Sequence, residues 1–146
     1  MALKSGMLLM VSLIAVAGSA CATGAVERFF SIHPLMVLGF SVYNQPLEKT
    51  VSALNVLGFD LTKFHKREFE GKKVYVVGAE EGDDTSNQFW IERDRLLFVR
   101  MIQDFGNGRG QDIRFNEYRQ LGGGWVAEEV LFYSNDKLRL KETYTK

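Results

Sequence analysis

The side chains able to do covalent or metal chemistry are few and scattered. The 146 residues hold two histidines and one cysteine. His33 stands beside Pro34, His65 lies in a charged stretch with Lys63, Lys66, Arg67 and Glu68, and Cys21 lies near the N-terminus. None of the three has a metal-type neighbour at ligand spacing. A nucleophile–base pair would have to recruit one of the two histidines or an unusual base, so no catalytic residue is assigned. Gly106-x-Gly108-x-Gly110 lacks the Lys-Ser/Thr of a phosphate loop and falls between strands, which reads as a flexible hairpin loop. Gly82-Asp83-Asp84 has no further acidic ligands at calcium-loop spacing and reads as a solvated turn. No metal and no cofactor is implied. Arg100, inside an apolar stretch, is expected to pair with Glu92 across a hairpin; the alternative is that it marks the mouth of a cavity.

The elements that must position these residues begin after a leader. Lys4 followed by the apolar run 7–17 (MLLMVSLIAVA) and the small residues Gly18, Ser19, Ala20, Cys21 and Ala22 reads as a secretory signal over residues 1–22. The run is about half the roughly 20 residues needed to span a bilayer. Ala20-Cys21-Ala22 fits ordinary signal peptidase. Cys21 after Ser19-Ala20 also resembles a lipobox, with the cysteine lipidated, although Gly18 replaces the usual branched residue. The expected location is the periplasm, or the outer membrane if Cys21 carries lipid. Formal net charge is zero, and removing Lys4 with the leader leaves about minus one. That balance gives no footprint for nucleic acid and no polybasic membrane patch.

Residues 23–146 read as one β-rich domain, mainly β with one or two short helices. Residues 26–43 are apolar and broken by His33-Pro34 and Gly39, which suggests a buried extended segment or short edge strand around 35–38. A helix is expected over 47–57, opened by Pro46, with Leu47, Val51, Leu54 and Leu57 buried and Gly58 as its stop. Period-two patterning then gives six strands: 73–79, 88–92, 96–102, 112–118, 125–133 and 138–144. Polar turns between them, including Arg93-Asp94, make an antiparallel meander. In the last strand Leu138, Leu140 and Tyr144 face one way. The strand 96–102 is apolar on both sides, with Leu96, Phe98 and Ile102 on one face and Leu97, Val99 and Met101 on the other. It must therefore be covered twice. Trp90, Phe98, Trp125, Phe132 and Tyr133 could serve core or pocket, and core fits most of them better.

Residues 71–79 (GKKVYVVGA), 88–100 (QFWIERDRLLFVR), 114–118 (RFNEY) and 122–126 (GGGWV) together resemble the LolA/LolB-like, outer-membrane lipoprotein-sorting superfamily, in an uncharacterised secreted branch. The likeness covers roughly residues 40–146. It implies part of an antiparallel half-barrel around helices, with an apolar concave face that holds acyl chains, and it assigns no catalytic residue. Members usually carry further strands and a helix before the matched region. That difference implies a natural short form, a truncated gene product, or a unit that self-associates through an open sheet edge. The leading expectation is an exported, non-enzymatic carrier of a lipid, lipoprotein or other apolar ligand. Its groove-lining candidates are Phe89, Ile91, Leu97, Val99, Met101 and Trp125. The runner-up is an envelope protein-interaction module using its sheet edge, with no small ligand.

Overall fold

The computed structural model describes residues 33–39, 41–106 and 110–145. The expected signal segment, Cys21 and the first part of residues 26–43 lie outside them. Seven strands form one open antiparallel sheet in sequence order: β1 (Phe64–Phe69), β2 (Lys72–Val77), β3 (Gln88–Glu92), β4 (Phe98–Asp104), β5 (Gly110–Leu121), β6 (Gly124–Ser134) and β7 (Lys137–Thr143). Two short helices precede them, α1 (Pro34–Gly39) and α2 (Leu47–Val56), joined through a 3-10 turn at Ser41–Tyr43. Among the described residues no helix is long and apolar enough to cross a membrane.

The meander and the mainly β class match the sequence reading; several local expectations do not. Residues 35–38 are helical, not extended. Pro34 opens α1, and the His33 carbonyl accepts from Met36 and Val37 N–H at 3.0 and 3.2 Å. Proline at a first helical position sacrifices no hydrogen bond, so the residue taken as a strand breaker is a helix starter. Helix α2 is where it was expected but rotated. Thr50 and Leu54 are buried and Ala53 and Leu57 pack against the core, whereas Leu47 is 71% exposed and Val51 is also exposed. The helix ends as foreseen: Gly58 takes φ 81°, its N–H donates to Asn55 O and Phe59 N–H donates to Leu54 O. This pairing closes a helix on a left-handed residue.

Strand β1 has no counterpart among the six expected strands. Its sequence, Phe-His-Lys-Arg-Glu-Phe, lies in the charged stretch around His65, and edge strands commonly carry such charges. Strand β4 begins at Phe98, because Leu96 and Leu97 belong to the connection; Leu97 O still accepts from Glu92 N–H at 2.8 Å.

Two bulges change which way side chains face. In the β3–β4 ladder Trp90 pairs with Arg100 but Ile91 pairs with Phe98, so Val99 is an extra residue. The face assignment expected for this strand therefore fails: Phe98 joins Met101 on one side, and Val99 joins Ile102 on the other. In β7, Phe132 pairs with Leu140 while Tyr133 pairs with Leu138, so Arg139 is the extra residue. Leu138 and Leu140 consequently lie on opposite faces, correcting the expected alternation.

Candidate functional site

One row of side chains crosses the entire sheet. Following cross-strand partners, Phe64 faces Val77, Val77 faces Phe89, Phe89 faces Met101, Met101 faces Ile113, Ile113 faces Phe132 and Phe132 faces Leu140. All seven are apolar, one from each strand. The middle of the row lies in a core with Val37 and Leu38 of α1, Leu54 of α2 and Phe59, whose ring meets Phe89 edge-on at 5.5 Å. Cover fails toward the ends: Met101 and Ile113 are fully buried, Phe132 is half-buried, and Leu140 is 44% exposed. At the opposite end Phe64 is 53% exposed. Tyr144 packs beside the core, and its hydroxyl donates to Glu142 at 2.6 Å. Burial, and then the neighbouring Glu142 carboxylate, push this phenol up to about 12.

The adjacent row on the other face is His65, Val76, Trp90, Arg100, Arg114, Leu131 and Lys141. Here cations stack on aromatic rings. Arg100 lies 4.3 Å and Arg67 4.7 Å from the centre of the buried Trp90 ring, and Arg114 lies 4.5 Å from that of Tyr133. Phe69 meets Trp90 edge-on at 4.9 Å. Trp90 Nε1–H donates to Gln88 Oε1 at 2.8 Å, and Gln88 Nε2 donates to Asp83 O and Ser86 O, so the buried polar atoms are satisfied.

Arg100 pairs with Asp112, not with Glu92 as expected. Its Nε and Nη2 donate to the two Asp112 oxygens at 2.8 Å, and Arg114 shares the same carboxylate at 2.9 Å. Glu92 is instead clasped by Arg95 at 2.6 Å. Burial raises the Asp112 carboxyl, but hydrogen bonds and charge from both arginines outweigh it and hold the group below the ordinary range.

Arg114 also reports sheet curvature. Its guanidinium sits 5.7 Å from the Phe69 ring centre and 3.6 Å from Glu70. Strands β1 and β5 are four steps apart, roughly 19 Å in a flat sheet at about 4.8 Å per step. An arginine and a phenylalanine laid end to end do not cover that gap, so the sheet bends toward this face along the diagonal from Phe69 to Arg114.

The six groove candidates do not line one surface. Phe89, Ile91 and Met101 lie on the helix-covered face, Val99 lies on the cation–aromatic face, and Leu97 is buried in the β3–β4 connection. Trp125 is 42% exposed beneath Arg95, whose guanidinium is 4.8 Å from the ring centre. Phe132 and Leu140, which continue the apolar row into solvent, were not among the candidates. Only the strand register reveals them.

An open cleft of about 410 Å³ is lined by Glu117, Arg119, Glu128, Glu129, Thr143 and Tyr144, and none of the six candidates borders it. The Asp83 carboxylate accepts from Ser86 N–H at 3.0 Å and from Thr85 N–H and hydroxyl at 2.9 Å; the Ser86 side chain first, then these groups, hold it far below the usual range. Its neighbour Asp84 pairs with Arg67 at 2.6 Å. Among the described residues no group of three or more metal-type side chains converges. Comparison with protein-family models, with curated proteins and with solved structures finds no match to this chain.

Proposed function

We propose that this chain is an exported, non-enzymatic binding domain that carries an apolar ligand of the bacterial envelope, a lipid or the acyl chain of a lipoprotein. The observation that carries the reading is the seven-residue apolar row, capped by helices at its centre and open to water at Phe132 and Leu140. An acyl chain laid over that outer end continues the core outward, and each methylene removed from water contributes about 0.8 kcal/mol. Release then needs a competing apolar acceptor, such as a membrane. The finer fold reading, part of a half-barrel of the LolA/LolB-like kind, belongs to this proposal, as does export, which rests on residues 1–22.

Binding is placed on the face, not the edge. Edge strand β1 carries Lys66, Arg67 and Glu68, and edge strand β7 carries Lys137, Arg139 and Lys141 with a bulge at Arg139. Charges and bulges at a sheet edge discourage strand addition. This weighs against self-association or partner binding through an open edge.

Native mass spectrometry of protein purified from an exporting host tests the reading. A lipid mass carried by the folded protein is expected. Protein mass alone, with no uptake of added fatty acid or acylated peptide, would overturn it.

A further inference from the structure

The geometry points to a second contact, separate from any cargo surface: the β5–β6 hairpin tip, with the β3–β4 tip beside it, inserts shallowly into a lipid bilayer surface. The two connections lie at the same end of the sheet, because consecutive strands are antiparallel. Arg95 on one tip stacks over Trp125 on the other.

Residues 120–127 (QLGGGWVA) contain no charge, and Gly122-Gly123 form the turn itself with φ 59° and 87°. Around that turn the large side chains are in water: Leu121 is 54% exposed and Trp125 and Val126 are 42% exposed. They do not share a face. Arg119 pairs with Val126 and Gln120 with Trp125 across the hairpin, so Leu121 and Val126 point one way and Trp125 the other. A protein partner docked on the sheet would cover one side of such a tip. A bilayer interface surrounds it.

The boundary of the apolar tip is marked by an ion pair. Arg119 bonds Glu128 across the two strands immediately behind the uncharged segment. At about 3.4 Å per residue the turn projects roughly 10 Å beyond that pair. Interfacial elements reach about 5–10 Å into the headgroup boundary. Tryptophan and arginine suit that boundary, because each has an apolar body and a polar end.

Leu96 supplies an independent sign. It takes φ 57° and is 64% exposed. A bulky side chain in the left-handed region costs about 1–2 kcal/mol, and here no burial offsets it. The strain holds an apolar side chain exposed on the β3–β4 tip, next in sequence to the Arg95 that stacks over Trp125. Around the two tips Arg93, Arg95 and Arg119 are balanced by Glu92, Asp94 and Glu128, so attraction to anionic lipid is not what drives the contact.

The test uses lipid-stripped full-length protein with phosphatidylcholine vesicles containing brominated acyl chains, which quench tryptophan on contact. Trp90 is fully buried and gives a constant background, so quenching reports Trp125. Attachment through another part of the chain does not mimic this local signal. Quenching that persists at high salt is expected, falling at least tenfold in apparent affinity in Leu121→Asp/Val126→Asp. Leu96→Gly, which relieves the strained backbone, is expected to unfold no lower than wild type and still bind several-fold more weakly. Absence of quenching, equal quenching in the double variant, or binding confined to anionic vesicles and lost at high salt would each overturn the inference. The result stands whether or not the protein holds cargo, so its failure is distinguishable from failure of the carrier reading.

Discussion

The two faces of this sheet solve the same problem differently. Both have an apolar centre: Met101 and Ile113 on one side, Val76 and Trp90 on the other, all fully buried. The first face borrows its cover from α1, α2 and Phe59, and the cover stops before Leu140. The second face roofs itself. Arginines from β1, β4 and β5 lie over Trp90, Phe69 and Tyr133, and Asp112 holds two of them in place. A guanidinium can serve as roof because it is planar, stacks on rings, and keeps its donors paired in the ring plane. The self-roofed face has its polar groups committed to one another. The helix-covered face has apolar surface to spare, and it is the one we propose for binding.

The largest expected effect lies on the self-roofed face. Trp90→Ala removes the ring beneath Arg67 and Arg100 and should cost about 4 kcal/mol of stability. Urea unfolding measures it, and a cost near 1 kcal/mol would mean that the stack is ornamental. Asp112→Ala comes next, at about 3 kcal/mol, because it strands Arg100 and Arg114 in partly buried positions. Replacing all three with apolar residues of similar volume should cost clearly less than that single change. If the triple variant is the worse one, charge pairing and not packing holds this roof.

A smaller, pH-dependent effect follows from the same carboxylate. The folded-state pKa of Asp112 lies below its unfolded value, so its contribution is present at neutral pH and is lost as pH falls through the folded value. Wild type and Asp112→Asn should therefore differ most near neutral pH and converge on acidification, as thermal melts across acidic pH would show. A gap that widens at low pH would contradict the assignment. The smallest stability effect belongs to the helix-covered face: Leu140→Lys, at an exposed position, should change unfolding by no more than about 0.5 kcal/mol.

Much of the fold was legible along the chain, because the strands keep their period and their turns carry recognisable chemistry. Asn135 and Asp136 sit at φ 50° and 58° in a two-residue hairpin turn of the kind their side chains favour. Legibility failed where one residue serves two purposes. Pro34 can break a strand or begin a helix, and the choice rested on packing of Val37 and Leu38 that lies elsewhere in space. The charged stretch of β1 hides its strand because edge strands tolerate such charges.

The site was less legible than the fold for one physical reason. A single bulge residue reverses the facing of everything after it, and Val99 and Arg139 carry no composition that announces a bulge. Grouping Val99 with Met101, or Leu138 with Leu140, follows correctly from strict alternation and is wrong by one residue. The apolar row appears only once six registers are known together.

We propose that the uncovered end of that row takes an apolar chain from water. Titrating a fluorescent fatty-acid probe into wild type and Leu140→Lys tests it most directly. Saturable binding to wild type and about tenfold weaker binding to the variant, a loss of about 1.4 kcal/mol, are expected, with both proteins equally folded. Equal affinity in the two, or no binding to either, would contradict it.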